Sequence, residues 1–231
     1  MRYEPANPEY IPWKFKDVVF VLLIISIVDL IFFLLRYYDI TSNGYLHTMI
    51  GIAVPILWAR KYYDASLLTI SLNRSAGIIK PIFVGIFAGL CLTYLNFWII
   101  GAPIPLSILK GLSFNTIGIS ILSLISAEGF RRMIFGPLEE EIIFRAFVFR
   151  GLQKYTGLTW AMVISSVIFC FVHERLFAYR PLAIFMILFM YSCAYCLLLN
   201  RYKTLIAPLA CHMFSNYLVN LIKLLLPYSL L

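Results

Sequence analysis

The stretch GPLEEEIIFRAFVFRG, residues 136–151, places three glutamates and two arginines inside an otherwise strongly apolar chain. Gly136 and Pro137 are typical of a break between segments, and a proline suits the first turn of a helix, where its missing N–H costs no hydrogen bond. The stretch therefore predicts a short, charged helix over residues 137–152. Its first turn holds the glutamates, where the helix dipole favours negative charge.

The dipole does not account for the residues that follow the glutamates. Glu141 and Arg145 are four residues apart, so they share one helix face in the order that favours an ion pair. Glu140 points about 100° away from Glu141. We therefore predict that Arg145 holds Glu141, and that Glu140 faces a cavity.

The composition identifies an integral membrane protein, because 62% of the 231 residues are hydrophobic and only 13% are charged. Crossing the hydrocarbon takes about 17 to 25 residues. Candidate spans are 18–36, 44–59, 81–100, 114–128, 159–173, 181–199 and 204–226, with the short helix 137–152 as an eighth. We expect an all-α fold, a single domain over residues 1–231 that forms a polytopic bundle of about eight transmembrane helices around a polar cavity.

The net charge of +8 comes from lysines and arginines in the short gaps between apolar runs. This distribution is typical of cytoplasmic loops in a membrane protein, and it does not predict a nucleic-acid partner. Counting these residues on each side favours a cytoplasmic N-terminus. The first apolar run lacks an Ala-x-Ala cleavage pattern, so we predict a first membrane helix rather than a removed signal peptide.

Two later segments also carry polar residues at helical spacing. Phe169 and His173 are four residues apart, and His212, Asn216 and Asn220 follow one another at four-residue steps. Each pattern alone has a structural explanation, because such residues can join membrane helices through hydrogen bonds. Together with a glutamate they supply a general base, a second proton carrier and donors for an oxyanion, which are the parts needed to hydrolyse an amide with water.

The three patterns resemble the motifs of the CPBP family, the CAAX-protease and bacteriocin-processing group of intramembrane proteases, also called Abi. In this sequence the motifs are Glu140-Glu141-x-x-x-Arg145, Phe169-x-x-x-His173 and His212-x-x-x-Asn216. Only one register fits the first motif, because a start at Glu139 would need an arginine at Phe144. The resemblance covers about residues 114–226, which would form the catalytic core.

The resemblance implies a bundle of about eight membrane helices around a water-accessible cavity, and cleavage of peptide bonds at or within the membrane. By the same resemblance, Glu140 would activate the attacking water and His173 would assist it. His212 and Asn216 would stabilise the oxyanion.

The resemblance further implies that Glu141 and Arg145 orient Glu140, with Phe169 as a third supporting residue. It implies no cofactor. The partners would be the lipid bilayer and a membrane-associated protein or peptide, such as a prenylated tail, a bacteriocin leader or a sorting tail. We expect the plasma membrane of a prokaryote, and the sequence leaves the oligomeric state open.

Two other functions stay open at this point. Glu140, His173 and His212 are competent metal ligands and could form a two-histidine, one-carboxylate site. The zinc motif H-E-x-x-H is absent, because His173-Glu174 is followed by Phe177 where the second histidine would stand. The polar residues could instead serve helix packing in a non-enzymatic scaffold or immunity protein. A transporter fits less well, since the two halves of the chain lack paired broken helices.

Overall fold

The structure is a computed structural model, and it describes residues 11–38, 44–63, 77–101, 118–119, 122, 126–173 and 181–225. These residues contain six helices and no β-strand. The helices are α1 (Phe15–Tyr37), α2 (Gly44–Tyr63), α3 (Ile79–Ile99), α4 (127–172), α5 (Pro181–Tyr202) and α6 (Ile206–Leu225). The all-α prediction is therefore confirmed for the described part of the chain.

The count of about eight helices is not confirmed. Among the described residues, four helical segments are long and apolar enough to cross a membrane, and they lie in α1, α3, α4 and α5. The apolar part of α6, Ile206–Ile222, is shorter, and α2 is not one of the four. The predicted span 114–128 lies largely outside the described residues.

The predicted break at Gly136 and Pro137 is wrong, because α4 continues through both residues. Arg131–Phe135 is π-helical, and the Gly136 N–H donates to the Arg131 carbonyl five residues earlier. A wider turn of this kind relaxes the backbone just before Pro137, which has no N–H to donate. The helix begins at Ala127, so the three glutamates do not lie in a first turn. The dipole cannot stabilise them, and each carboxylate needs side-chain partners of its own.

The centre of the core is a second π-helical segment, Glu141–Phe149, in which every residue is buried. Trp13 precedes α1 and is also fully buried. Its indole Nε1–H donates to the Phe147 carbonyl at 3.1 Å, and its ring stacks on Phe147 at 4.9 Å between centroids. The segment before α1 therefore packs directly on the part of α4 that follows the glutamates.

A break at Gly157 divides α4, as the glycine in the sequence suggests. Gly157 has φ 74° and ψ 177°, a conformation that only glycine adopts without strain. Glu140 and His173 are 33 residues apart in the sequence, so a straight helix would separate them by about 50 Å. Their side chains instead approach to 3.7 Å, so the chain must reverse direction at the break.

Close packing of α3 against α6 positions the third motif. A Cβ on Gly85 would lie 2.4 Å from the Ala207 carbonyl oxygen, and one on Gly89 would lie 2.8 Å from that of Cys211. Small residues four apart allow two membrane helices to approach closely. The Ser215 hydroxyl also donates to the Gly89 carbonyl at 3.4 Å, which holds α6 in the rotation that carries His212 toward α4.

Candidate active site

Glu140 lies between the two histidines predicted from the sequence. Its Oε2 is 3.7 Å from His173 Nε2 and 3.7 Å from His212 Nε2. The side chains of Glu140 and His173 are 27% and 23% exposed, whereas that of His212 is 8% exposed. The Glu140 side chain is therefore partly exposed, although its Oε2 atom, which faces the two histidine rings, is itself buried.

The second ring nitrogen of each histidine has a partner that fixes the position of its proton. His173 Nδ1 lies 2.8 Å from the Phe169 carbonyl oxygen, and His212 Nδ1 lies 2.9 Å from Glu141 Oε1. A carbonyl and an ionised carboxylate only accept hydrogen bonds, so both Nδ1 atoms must donate. In the neutral rings both Nε2 atoms then carry a lone pair, and both face Glu140.

Glu141 uses its two oxygens for two different partners. Oε1 accepts the hydrogen bond from His212, and Oε2 lies 3.4 Å from Arg145 Nε. The side chains of Glu141 and Arg145 are both 0% exposed. The predicted pair of Glu141 and Arg145 is present, and the structure adds that the same carboxylate orients the His212 ring.

The Arg145 guanidinium is held by aromatic faces. Its Cζ lies 4.3 Å from the centroid of the Phe169 ring and 4.8 Å from that of Tyr195. No described residue accepts a hydrogen bond from its nitrogens. A buried guanidinium interacts favourably with ring faces at such distances, more strongly when it is desolvated. Phe169 of the second motif therefore supports the arginine of the first.

Tyr195 of α5 is the residue that the sequence did not reveal. Its ring stacks on the His212 ring with centroids 4.8 Å apart and planes 18° apart, and it also lies against the Arg145 guanidinium. It is buried in the middle of an apolar span. The only signal in the sequence is a tyrosine in the centre of a membrane helix, which packing alone would also explain.

Asn216 is half-buried and lies one turn after His212 on α6. Its backbone carbonyl accepts a hydrogen bond from Asn220 Nδ2 at 2.8 Å. Helical spacing places it beside His212, without a side-chain contact to the described residues around Glu140. Asn220 is exposed, and its amide also approaches Met133 Sδ at 3.7 Å.

The positions of the candidate ligand side chains bear on whether the site could bind a metal ion. Within the part of the chain that the structure describes, no group of three or more histidine, cysteine, aspartate or glutamate side chains is arranged to hold a metal ion. The three candidate ligands Glu140, His173 and His212 are thus close together without forming a preorganised site.

The contacts of Tyr195 predict a difference between two substitutions. Tyr195→Leu removes the ring from both His212 and Arg145, and we expect it to lower the free energy of unfolding by about 2 kcal/mol or more. Tyr195→Phe keeps the ring face and should stay close to wild type. Denaturant unfolding in detergent measures both, and equal stability of Tyr195→Leu and wild type would contradict the role of the ring.

Two comparisons with known proteins found similar sequences. Residues 122–218 match the family model described as "Type II CAAX prenyl endopeptidase Rce1-like". Over 94 residues the chain is 35% identical to "Putative membrane peptidase YdiL" of Bacillus subtilis (strain 168), a match that covers 39% of this chain and 35% of that relative. The chain thus spans about a third of the length of the curated relative that it matches. No solved structure matches it.

The family model covers the part of the chain that carries the three motifs, and both comparisons name a membrane or CAAX peptidase. Four helical segments among the described residues are long and apolar enough to span a membrane. Residues 122–218 are therefore similar to a family of CAAX-type membrane peptidases.

Proposed function

We propose that this chain is an intramembrane endopeptidase that hydrolyses a peptide bond of a membrane-associated or lipidated protein, with Glu140 as the general base. The observation that supports this most is the convergence of both histidine Nε2 atoms on Glu140 Oε2, each at 3.7 Å. These distances exceed a direct hydrogen bond, and Glu140 Oε2 has no hydrogen-bond partner among the described residues, so it is available to accept a hydrogen bond from a water molecule. A substrate water is the molecule that the reaction requires there.

In the first step the water oxygen forms a bond to the carbonyl carbon of the substrate. The electron pair of the C=O bond moves onto the carbonyl oxygen, and one water proton moves to the Glu140 carboxylate. His173 Nε2 accepts a hydrogen bond from the water and directs it. This role needs the neutral ring, whose proton lies on Nδ1 against the Phe169 carbonyl.

In the second step the oxyanion forms the C=O bond again and the C–N bond breaks. Glu140 returns its proton to the departing nitrogen, which restores the carboxylate. The product acid releases the second water proton, which ends on the new amine. Water is the only co-reactant, and one carboxylate therefore acts first as a base and then as an acid.

His212 and Asn216 are the proposed donors to the oxyanion. Because Nδ1 of His212 already donates to Glu141, the ring can donate through Nε2 only when it carries both protons. The positive ring then lies beside the buried Glu141 carboxylate, which stabilises its charge while Glu140 holds the water proton. The Asn216 amide supplies a neutral second donor one turn away.

The proposal predicts activity without a metal. Cleavage of a reporter substrate by the purified protein should survive exhaustive chelation, because the proposed steps take the base, the group that directs the water and the oxyanion donors from side chains alone. Loss of cleavage on chelation, with recovery on addition of zinc, would instead support the metal-dependent alternative with Glu140, His173 and His212 as ligands.

A search for substrates in cells separates an enzyme from a membrane scaffold or immunity protein. Cells that carry the wild-type chain and cells that carry Glu140→Gln would be compared for new protein termini in the membrane fraction. We expect termini that depend on Glu140, and their sequences would name the substrate. Biological function that persists unchanged in Glu140→Gln would support the scaffold.

The localisation that we propose is a prokaryotic plasma membrane with a cytoplasmic N-terminus.

A further inference from the structure

Glu139 is the one glutamate of the run that the proposed reaction does not use, and its side chain contacts α2. A Cβ on Gly51 would lie 1.9 Å from Glu139 Oε1 and 2.7 Å from its carboxyl carbon. Thr48, one turn earlier on α2, forms a hydrogen bond to the same carboxylate through its side chain. The carboxylate therefore occupies a notch that exists only because residue 51 has no side chain.

The contact continues along α2. Gly44 is two turns before Gly51 on the same face, and a Cβ there would lie 3.1 Å from Arg131 Nε. Arg131 and Glu139 are about two turns apart on α4. Two side chains of α4 thus fit against two glycines of α2, and this fixes how far α4 can rotate about its own axis.

An ion pair between α1 and α2 strengthens the contact of Glu139 with α2. His47 Nε2 of α2 lies 2.6 Å from Asp29 Oδ1 of α1, and the His47 ring attracts the Glu139 carboxylate electrostatically. Glu139 is therefore connected to α1 through His47 as well as to α2. The charges that face Glu139 are His47 and Asp29 from these helices, and Glu140 and Arg131 from α4 itself.

We propose that Glu139 is a positioning residue for Glu140: its contact with Thr48 and Gly51 fixes the rotation of α4 where the catalytic carboxylate projects. Glu139 and Glu140 are neighbours about 100° apart around the helix axis. A helix rotates as a rigid body. Because the Glu139 carboxylate is held against α2, the direction in which the Glu140 side chain projects is fixed as well. A displacement of about 1 Å at a reacting group can cost about 10²-fold in rate.

This inference rests on the proposed function, and its test begins with substitutions on α2, away from the reacting atoms. We expect Thr48→Val and Gly51→Ala to lower kcat by about 10-fold to 10²-fold, with KM close to wild type. Thr48→Ser restores the hydroxyl and should restore kcat. Thr93→Val is the matched control, because it removes a buried threonine hydroxyl on α3 that accepts a hydrogen bond from Tyr191, outside the contact between α2 and α4. It should lower stability and leave the kcat of the folded protein unchanged.

Substitutions of Glu139 distinguish positioning from chemistry. Glu139→Gln keeps the size and an acceptor oxygen for Thr48, so it should retain most of kcat, whereas Glu139→Ala should resemble Thr48→Val. A loss in Glu139→Gln as deep as that in Glu140→Gln would overturn the inference, since Glu139 would then act chemically. Wild-type kcat in Thr48→Val and Gly51→Ala, with Glu140→Gln inactive, would overturn it while leaving the proposed function intact.

A measurement without substrate tests the contact even if the proposed function fails. The unfolding midpoints of Thr48→Val, Glu139→Ala and the double variant form a cycle. If the two side chains bind each other, the double variant should unfold close to the less stable single variant. Additive shifts would show that the two residues do not interact, and would overturn the inference irrespective of any cleavage assay.

Discussion

Glu140→Gln is expected to lower the rate of peptide-bond cleavage by about 10²- to 10⁴-fold, the usual contribution of a positioned general base. The amide has the size of the carboxylate and cannot take a proton from water. The cleavage that remains is the part that the histidines can supply, because donation by their Nδ1 atoms leaves a lone pair on each Nε2. Single-turnover cleavage of a reporter peptide in detergent or bilayers gives the rate of the chemical step.

Glu128→Gln is the matched control for this loss. Glu128 lies on α4 as well, but its carboxylate is exposed and pairs with Arg131 and Arg132. We expect it to cleave at close to the wild-type rate, since exposed ion pairs contribute little. If Glu140→Gln were as active as Glu128→Gln, the assignment of Glu140 as the base would be wrong.

Arg145→Ala is expected to give the largest loss of stability, about 3 to 5 kcal/mol in the free energy of unfolding. The substitution leaves the Glu141 carboxylate buried and without its cation, and it also removes the group that packs between the Phe169 and Tyr195 rings. Denaturant unfolding in detergent measures the change. Stability equal to that of wild type would rule out the structural role of the pair.

A double variant separates the two roles of Glu141. In Glu141→Gln/Arg145→Met both charges are absent, so we expect much of the lost stability to return, as is often found when a buried ion pair is replaced as a whole. Activity should not return, because His212 Nδ1 then faces an amide instead of a carboxylate and the charged ring loses its nearest anion. Recovery of both stability and cleavage would show that Glu141 serves only Arg145.

Local contacts along one helix were the part of the site that could be read from the sequence. The pairing of Glu141 with Arg145 follows from a four-residue spacing, and the structure shows it at 3.4 Å. The same logic identified Phe169 with His173, whose rings lie 4.5 Å apart. The prediction of a helix start at Pro137 failed because proline is tolerated within a helix when the preceding turn is π-helical. The residue type does not reveal that wider turn.

Contacts between helices could not be read in the same way. The bond between His212 and Glu141 joins residues 71 positions apart, and Tyr195 looks like any aromatic residue of an apolar span. Glu139 resembled a residue that favours a helix start, and only the glycine notch on α2 shows what it binds. Each of these depends on the rotation and approach of two helices, which no spacing along one helix encodes.

The sequence by itself determined that the chain is a helical membrane protein, that Glu141 and Arg145 share one helix face, and that three motifs resembling those of the CPBP family follow one another in order. Apolar composition and helical periodicity are sufficient for the first two conclusions, because both act within a single segment, whereas the choice of Glu140 came from the resemblance. Only the tertiary structure decided that both histidines turn their Nε2 atoms to Glu140, that Glu141 serves His212 as well as Arg145, and that α4 is held against α2 through Glu139. These features arise from close packing of separate helices, where the absence of one Cβ or the reversal at one glycine sets the position of a reacting group.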